Sequence, residues 1–160
     1  VIAVNEIRQQ NSEKKILANA IQKTLAMLEK ELLTSGSLVH VQIPSMLAVN
    51  VVPAYLESIL LNLLSNAIKY RSPDRPLEIC IEAIVEGSFA VLSIADNGLG
   101  MDLEANGNKL FGMYQRFHSN NDARGFGLYL VKNQTEAMGG KVLANSKLGE
   151  GTTFFVYLPI

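Results

Sequence analysis

The sequence predicts an α+β fold, a two-layer sandwich in which a mixed, mostly antiparallel sheet carries helices on one face. The first observation is the order of the predicted elements: helix, two short strands, helix, two strands, helix, two strands. The second is that hairpins rather than helical crossovers join the late strands, as in antiparallel sheets. A length of 160 residues suits one domain with one core.

The first helix is predicted from Asn11 or Ser12 to about Leu33, where the Ser-Gly-Ser sequence at 35–37 ends it. Apolar side chains recur along it at helical spacing, at Leu17, Ile21, Leu28 and Leu32.

Two short strands, 38–43 and 47–51, are separated by Pro44 and lead into a central helix over residues 53–70. Pro53 suits the first helical position, where its missing N–H costs nothing. One face of this helix is apolar throughout and is formed by Leu56, Ile59, Leu60, Leu63, Leu64, Ala67 and Ile68.

The next two strands are predicted to form a hairpin that turns at residues 86–88. Apolar and polar side chains alternate over residues 77–85, which indicates a half-buried strand. Residues 89–95 are almost wholly apolar, which is typical of a central strand. Cys80, the only cysteine, lies in the first of these strands and is expected to be a small core residue.

One more helix and two closing strands are predicted after residue 124. Gly125-Phe126-Gly127 opens the helix, which runs to about Met138 and is stopped by two glycines. The closing strands are expected at 141–145 and 152–158. Between the central strand and this helix, loops or short helical turns are predicted at 102–109, 110–117 and 118–124.

Composition narrows the class of protein. A hydrophobic content of 48%, a charged content of 18% and a net charge of -1 are typical of a globular domain and do not indicate a nucleic-acid surface. No apolar stretch approaches the ~18 residues of a membrane span. A single cysteine excludes an internal disulfide and is in keeping with a reducing compartment. The expected location is cytoplasmic. The chain starts without Met, so it could be a fragment of a longer protein that is anchored in the inner membrane elsewhere.

A polar strip interrupts the central helix. Asn62, Asn66 and Lys69 are spaced four and three residues apart and so share one face. Asn is a mediocre helix former, because its amide competes for nearby backbone groups. Amide oxygens can coordinate a hard divalent cation, and amide and ammonium groups can meet phosphate oxygens. The strip therefore indicates either a metal–polyphosphate site or a solvated helix face with incidental asparagines.

Asp96, Gly98 and Gly100 follow the predicted central strand. A carboxylate at such a point is commonly a turn former. Alternatively, it accepts a hydrogen bond from an exocyclic amine such as that of adenine, while the glycines let a flat base approach the backbone. The residues themselves leave both interpretations open.

Gly125 and Gly127 open the last helix, whose N-terminus offers unpaired N–H groups to phosphates. The same pattern is common in ordinary loop-to-helix junctions, and it lacks the third glycine and the preceding strand of a dinucleotide-binding fingerprint. Arg116 could reach phosphate or be a surface residue. Thr152 supplies a hydroxyl at the start of a strand, which by itself indicates only a turn.

The order and spacing of these motifs carry more information than each motif alone. They are Asn62-x-x-x-Asn66-x-x-Lys69-Tyr70, Asp96-x-Gly98-x-Gly100, the aromatic segment 111–117, Gly125-x-Gly127-Leu128 and Gly149-x-Gly151-Thr152-x-Phe154. Together they resemble the ATP-binding domain of sensor histidine kinases, a Bergerat-type fold of the GHKL superfamily that is shared with the gyrase, Hsp90 and MutL ATPases. The resemblance covers roughly residues 16–159.

The resemblance implies roles on the phosphate side of a nucleotide site. Asn62 would be the magnesium ligand, while Asn66 and Lys69 would contact phosphates. The helix N-terminus would cradle phosphates at Gly125, Gly127 and Leu128. The implied catalytic residues are Asn62, Lys69 and Arg116.

On the base side, the resemblance implies that Asp96 binds the adenine amine, with Thr152 helping through water. Tyr70 would lie against the adenine and ribose. Residues 117–124 would form the lid that closes over ATP, beginning with Phe117. The base pocket would be shaped by Gly98, Gly100 and Met101.

Three positions depart from the family's pattern. Ser58 stands one turn before Asn62, where many members carry Glu or Gln, and Glu57 points elsewhere on the helix. Ala123 stands where the first glycine of the lid motif is common, so its methyl group could reshape the phosphate loop. Tyr114 replaces a usual Phe, which is a mild change.

The family phosphorylates a histidine on a separate helical hairpin, and neither histidine of this chain suits that role. His40 lies in a predicted strand and His118 follows the aromatic segment, and neither has the neighbouring acidic residue. The expected partner is therefore a histidine-bearing dimerisation hairpin domain of the same full-length protein. Residues 1–15 would be a linker or the tail of that hairpin, and residues 16–160 the catalytic domain.

The leading hypothesis is a domain that binds Mg-ATP and transfers the γ-phosphate to that histidine, with a response regulator as an indirect partner. We expect this domain neither to bind nucleic acid nor to contact a membrane. The alternative is a degenerate nucleotide-sensing or partner-interaction module, which Ser58 and Ala123 motivate. An ATP hydrolase is a weaker third hypothesis, because those relatives place a Glu at the position of Ser58 to activate water.

Overall fold

The computed structural model describes residues 11–103, 111 and 126–160. In chain order its elements are β1 (Glu13–Ile16), α1 (Leu17–Met27), α2 (Glu29–Thr34), β2 (Leu38–Gln42), β3 (Ala48–Val51), α3 (Pro53–Lys69), β4 (Glu78–Glu86), β5 (Phe89–Asp96), α4 (Phe126–Ala137), β6 (Lys141–Lys147) and β7 (Gly151–Pro159). None of the helices in these residues is both long and apolar enough to cross a membrane.

A five-stranded sheet in the order β2-β4-β5-β7-β6 forms one layer. The pair of β2 and β4 is parallel, and the other neighbours are antiparallel. The predicted hairpin of β4 and β5 is confirmed, and β5 is the middle strand of the sheet. The predicted α+β class with a mixed, mostly antiparallel sheet is therefore confirmed.

The core lies between this sheet and the helices. Alternation along the strands directs Ile79 and Ile81 of β4 and Leu92 and Ile94 of β5 to the same buried side. They belong to one apolar cluster with the buried face of α3. The seven residues predicted for the apolar face of α3 are its seven buried residues. Full burial of one such side chain contributes about 1.5–3 kcal/mol, so this face fixes the helix on the sheet.

The prediction of one helix from residue 11 or 12 to residue 33 was wrong. Glu13 to Ile16 instead form β1, which pairs antiparallel with β3 in a second, two-stranded sheet. The helical segment that follows is also interrupted, because Leu28 leaves helical geometry while its side chain remains buried. The strand pairs with a segment more than thirty residues further along the chain, so local periodicity could not reveal it.

The prediction that Cys80 is a core residue was also wrong, because its side chain is exposed. Side chains alternate across a strand, so Cys80 shares its face with Glu78 and Glu82 rather than with Ile79 and Ile81. The alternation over residues 77–85 already places Cys80 on the polar face of this strand, and the core prediction, which rested on its apolar neighbours, did not take that pattern into account.

Candidate nucleotide site

The polar strip of α3 lies beside the buried face of the helix. Asn62, Asn66 and Lys69 are half-buried, whereas Leu63, between them, is buried. The side chain of Asn66 makes no hydrogen bond to any residue that the structure describes. The strip therefore lies at the border between the core and the surface, where its polar atoms can meet a ligand.

The Asn62 amide is oriented by its own helix. Its Nδ2 donates to the Ser58 carbonyl oxygen at 2.9 Å and lies 3.3 Å from Ser58 Oγ. Because the donor side of the amide is held in this way, Oδ1 lies on the opposite side of the amide group as an acceptor. Ser58, noted as a departure from the family's pattern, therefore helps to aim Asn62, while Glu57 pairs with Lys23 at 3.7 Å.

The N-terminus of α4 lies directly against this amide. A Cβ atom added to Gly127 would lie 3.0 Å from Asn62 Oδ1, closer than side chains normally pack. Gly127 is buried, and Leu128 is half-buried and packs against the core. The glycine thus allows the first turn of α4 to approach the Asn62 oxygen.

Asp96 ends β5 on the helix-facing side of the sheet. Its Oδ1 accepts hydrogen bonds from the Gly98 N–H at 2.9 Å and from the Thr152 N–H at 3.3 Å. Among the described residues, no hydrogen bond reaches Oδ2. Burial raises the pKa of the Asp96 carboxyl, and the two N–H donors oppose that shift. Asp96 is thus a half-buried acceptor with one oxygen held and the other available.

Two hydroxyl groups, on the neighbouring strands β7 and β6, lie beside Asp96 across the sheet. Thr152 lies opposite Asp96 in β5 and opposite Ser146 in β6. Ser146 Oγ lies 2.7 Å from Thr152 Oγ1, accepts the Met101 N–H at 2.8 Å and donates to the Gly151 carbonyl at 2.9 Å. Since Ser146 has one proton to donate, Thr152 is the donor within the hydroxyl pair, and its own lone pairs remain as acceptors.

Gly98 and Gly100 allow the chain to pack against its own backbone. A Cβ atom at Gly98 would lie 2.6 Å from the Tyr70 carbonyl oxygen. At Gly100, where φ is +70°, a Cβ atom would lie 2.0 Å from the Lys147 carbonyl oxygen. Because neither glycine has a side chain, the loop after β5 can pack tightly between the C-terminus of α3 and the turn between β6 and β7. Direct contact between these glycines and a base stays a prediction.

Tyr70 follows the last turn of α3, and its carbonyl group connects the helix to the loop after β5. The Leu99 N–H donates to the Tyr70 carbonyl oxygen at 2.9 Å. The Lys69 ammonium lies 5.7 Å from the centroid of the Tyr70 ring. The helix that carries the polar strip is thereby connected to the loop that follows Asp96.

Several predicted positions lie outside the described residues: Tyr114, Arg116, Phe117, His118, Ala123, Gly125 and the lid at 117–124.

Three residues that connect the segments of the site were not among those predicted from the sequence. Arg75 donates hydrogen bonds to three backbone carbonyls. The Asn97 side chain accepts the Glu78 N–H at 2.8 Å and donates to the Pro76 carbonyl at 3.0 Å. Ser146 joins β6 to Met101 and Thr152. Asn97 had a local signal as a turn residue before glycine, whereas nothing near Arg75 or Ser146 in the sequence pointed to these contacts.

The site can be compared with known proteins. Residues 51–160 match the family of histidine kinase-, DNA gyrase B-, and HSP90-like ATPases. The chain belongs to this family. The resemblance to the ATP-binding domain of sensor histidine kinases is therefore confirmed.

Curated relatives include two from cyanobacteria. The chain is 31% identical over 144 residues to cyanobacterial phytochrome A of Nostoc sp., covering 88% of this chain and 18% of the relative. It is 33% identical over 111 residues to the circadian input-output histidine kinase CikA of Synechococcus elongatus, covering 67% of this chain and 14% of the relative. The chain thus spans less than a fifth of the length of these relatives.

The fold is similar to that of the catalytic domain of histidine kinase ThkA, with a TM-score of 0.79 over 92% of this chain and 95% of that one. Sequence identity in this comparison is 19%, so it concerns the fold alone.

Proposed function

We propose that this domain binds Mg-ATP and transfers its γ-phosphoryl group to a histidine on a separate dimerisation domain. In that transfer a P–N bond to the imidazole forms and the P–O bond to ADP breaks. The observation that carries the proposal is the Asn62 amide, whose donor side is bonded to Ser58 while its oxygen meets the N-terminus of α4.

The chemistry of these groups fits magnesium and a polyphosphate. An amide oxygen is a suitable ligand for Mg²⁺, which prefers oxygen and is held by few protein groups together with substrate phosphates. The first turn of α4 supplies N–H groups and positive potential for phosphate oxygens. Bound magnesium would neutralise charge on the phosphates during transfer. Asn62 would hold the metal, while Asn66 and Lys69 would position the phosphates.

The base would lie at the other end of the site. Asp96 Oδ2 offers an acceptor for the adenine amine, and Thr152 offers hydroxyl lone pairs close by. The loop after β5 and the Tyr70 ring would form the walls. This arrangement supports a preference for adenine over bases that lack an amine at this position.

The acceptor histidine would come from another domain. His40 is exposed and pairs with Cys80, so it lies on the face of the sheet away from Asp96. We therefore expect the isolated domain to bind ATP but to show little turnover until the hairpin domain is added. A response regulator would receive the phosphoryl group afterwards, and the reaction would take place in the cytoplasm.

Calorimetric titration with a nonhydrolysable ATP analogue, with and without magnesium, tests this proposal. Loss of a buried polar contact costs about 1–3 kcal/mol, so Asn62→Ala should weaken magnesium-dependent binding about 5- to 150-fold. Asn133→Ala is the matched control, because Asn133 Nδ2 donates at 2.8 Å to the carbonyl one turn earlier but lies exposed on α4. No binding by the wild type would favour a degenerate interaction module instead.

A second experiment tests the reaction. The purified domain is mixed with the hairpin domain of the same full-length protein and with ATP labelled in the γ-phosphate. Label on the hairpin histidine supports the proposed transfer. Release of labelled phosphate without labelled protein would favour an ATP hydrolase.

A further inference from the structure

Arg75 lies in the segment between α3 and β4, away from the polar strip. Its half-buried side chain donates from Nε to the Asn97 carbonyl at 2.7 Å and from Nη2 to the Gly98 carbonyl at 2.9 Å. Nη2 also donates to the Gly149 carbonyl at 2.8 Å. One guanidinium thus connects the loop after β5 with the turn between β6 and β7.

The first two of these carbonyls belong to peptide groups with a second task. The peptide group that contains the Asn97 carbonyl also contains the Gly98 N–H, which donates to Asp96 Oδ1 at 2.9 Å. The next peptide group contains the Gly98 carbonyl and the Leu99 N–H, which donates to the Tyr70 carbonyl at 2.9 Å. Because a peptide group is planar, a donor that fixes its carbonyl also fixes the direction of its N–H.

The third carbonyl belongs to the turn that closes against the same loop. The Gly149 N–H donates to the Leu99 carbonyl at 2.7 Å, so Arg75 and Leu99 hold Gly149 from both sides. The guanidinium is a planar group with several donors in a fixed fork, and it reaches three carbonyls of two segments at once. The single ammonium of a lysine would keep the charge but not this geometry.

We propose that Arg75 is a positioning residue for the base pocket, fixing two consecutive peptide groups so that Asp96 Oδ1 is held and Oδ2 is presented to the base. This inference rests on the proposed function. Arg75 itself would not touch the nucleotide; it would act through the loop.

The test compares two ligands that differ only in the group that Asp96 would recognise. These are ADP and purine riboside 5′-diphosphate, which lacks the 6-amino group. Dissociation constants are measured by calorimetry for the wild type, Arg75→Met and Arg75→Lys. Arg71→Met is the control. The Arg71 side chain donates at 2.7 Å to the carbonyl of Ile68, at the C-terminal end of α3, and not to the loop after β5.

The wild type and Arg71→Met should prefer ADP about tenfold or more, as expected for a hydrogen bond to a charged group. Arg75→Met should lose most of this preference, and Arg75→Lys should fall between. A purely structural loss would weaken both ligands by the same factor and leave the ratio unchanged, which would overturn the inference.

Arg75→Lys keeps the test decisive if Arg75→Met fails to fold, because a wild-type ratio in folded Arg75→Lys would also contradict a role for the fork geometry. Thermal unfolding of each variant establishes that it is folded. Absence of ADP binding to the wild type would instead overturn the proposed function itself.

Discussion

Replacing Asp96 with asparagine should weaken nucleotide binding while the domain still folds. The amide oxygen of the new side chain can still accept the N–H groups that now reach Asp96 Oδ1 from Gly98 at 2.9 Å and from Thr152 at 3.3 Å. Only the second carboxylate oxygen changes, into an NH₂ group. That group is a donor, and the amine of adenine is also a donor, so the proposed contact is lost.

The magnitude follows from the type of bond. A hydrogen bond to a charged group contributes about 1.5–3 kcal/mol, so Asp96→Asn should weaken binding of an ATP analogue about 10- to 150-fold. Calorimetric titration measures this change. Glu86→Gln removes the same charge at the opposite end of the β4–β5 hairpin and should bind as the wild type does.

Whereas Asp96→Asn should weaken binding, it should raise the free energy of unfolding relative to the wild type as pH rises. Because burial raises the pKa of Asp96, the folded protein holds the carboxyl proton more tightly than the unfolded chain does. The wild type therefore loses stability as pH rises from below the ordinary carboxyl pKa through the raised one. Asp96→Asn lacks this titration, so its free energy of unfolding relative to the wild type should increase over that window and then level off.

Urea unfolding at a series of pH values from acid to neutral checks the sign. If Asp96→Asn binds the analogue as tightly as the wild type, Asp96 does not recognise the base. If the relative stability of the variant instead falls as pH rises, the carboxylate is stabilised rather than penalised by its surroundings.

Three further substitutions and one control substitution test the packing of the site and the core. Gly127→Ala places a methyl group 3.0 Å from Asn62 Oδ1, so magnesium-dependent binding measured by calorimetry should weaken by about 1 kcal/mol. This loss is expected even though alanine stabilises a helix by about 0.5–1 kcal/mol relative to glycine. Gly100→Ala should destabilise the fold in urea by at least about 1–2 kcal/mol, because φ is +70° and the new Cβ meets a backbone carbonyl. Ile81→Ala should cost about 2–5 kcal/mol in the same assay, whereas Ile84→Ala, at a side chain 61% exposed, should stay within about 0.5 kcal/mol.

The parts of the fold that could be predicted are those with a strong local pattern. The apolar face of α3 has a helical period over its whole length, and β5 is a long apolar run, so both were placed correctly. β1 has only four residues, two of them lysines, and is a strand only because β3 pairs with it. No local property of those four residues distinguishes them from the start of a helix.

The same contrast separates the two ends of the candidate site. Asn62 is oriented by Ser58, four residues away in the same helix, so spacing along one helix was enough to point to the polar strip. Asp96 is oriented by a loop that Arg75 holds, and the three carbonyls bonded by Arg75 lie 22, 23 and 74 positions from it. Sequence patterns therefore point to the residues of both proposed sides, whereas the contacts that orient Asp96 on the proposed base side are brought together only by the folded chain.

This difference has a consequence for substitutions. On the phosphate side, changes that matter should lie on α3 or in the first turn of α4, within the motifs themselves. On the base side, a change as far along the chain as the turn between β6 and β7 can alter recognition, because Gly149 shares the Arg75 guanidinium with the loop after β5. Variation in base preference among otherwise similar chains is thus expected to follow Arg75, which lies outside the recognised motifs, as well as the motif residues whose carbonyls it binds.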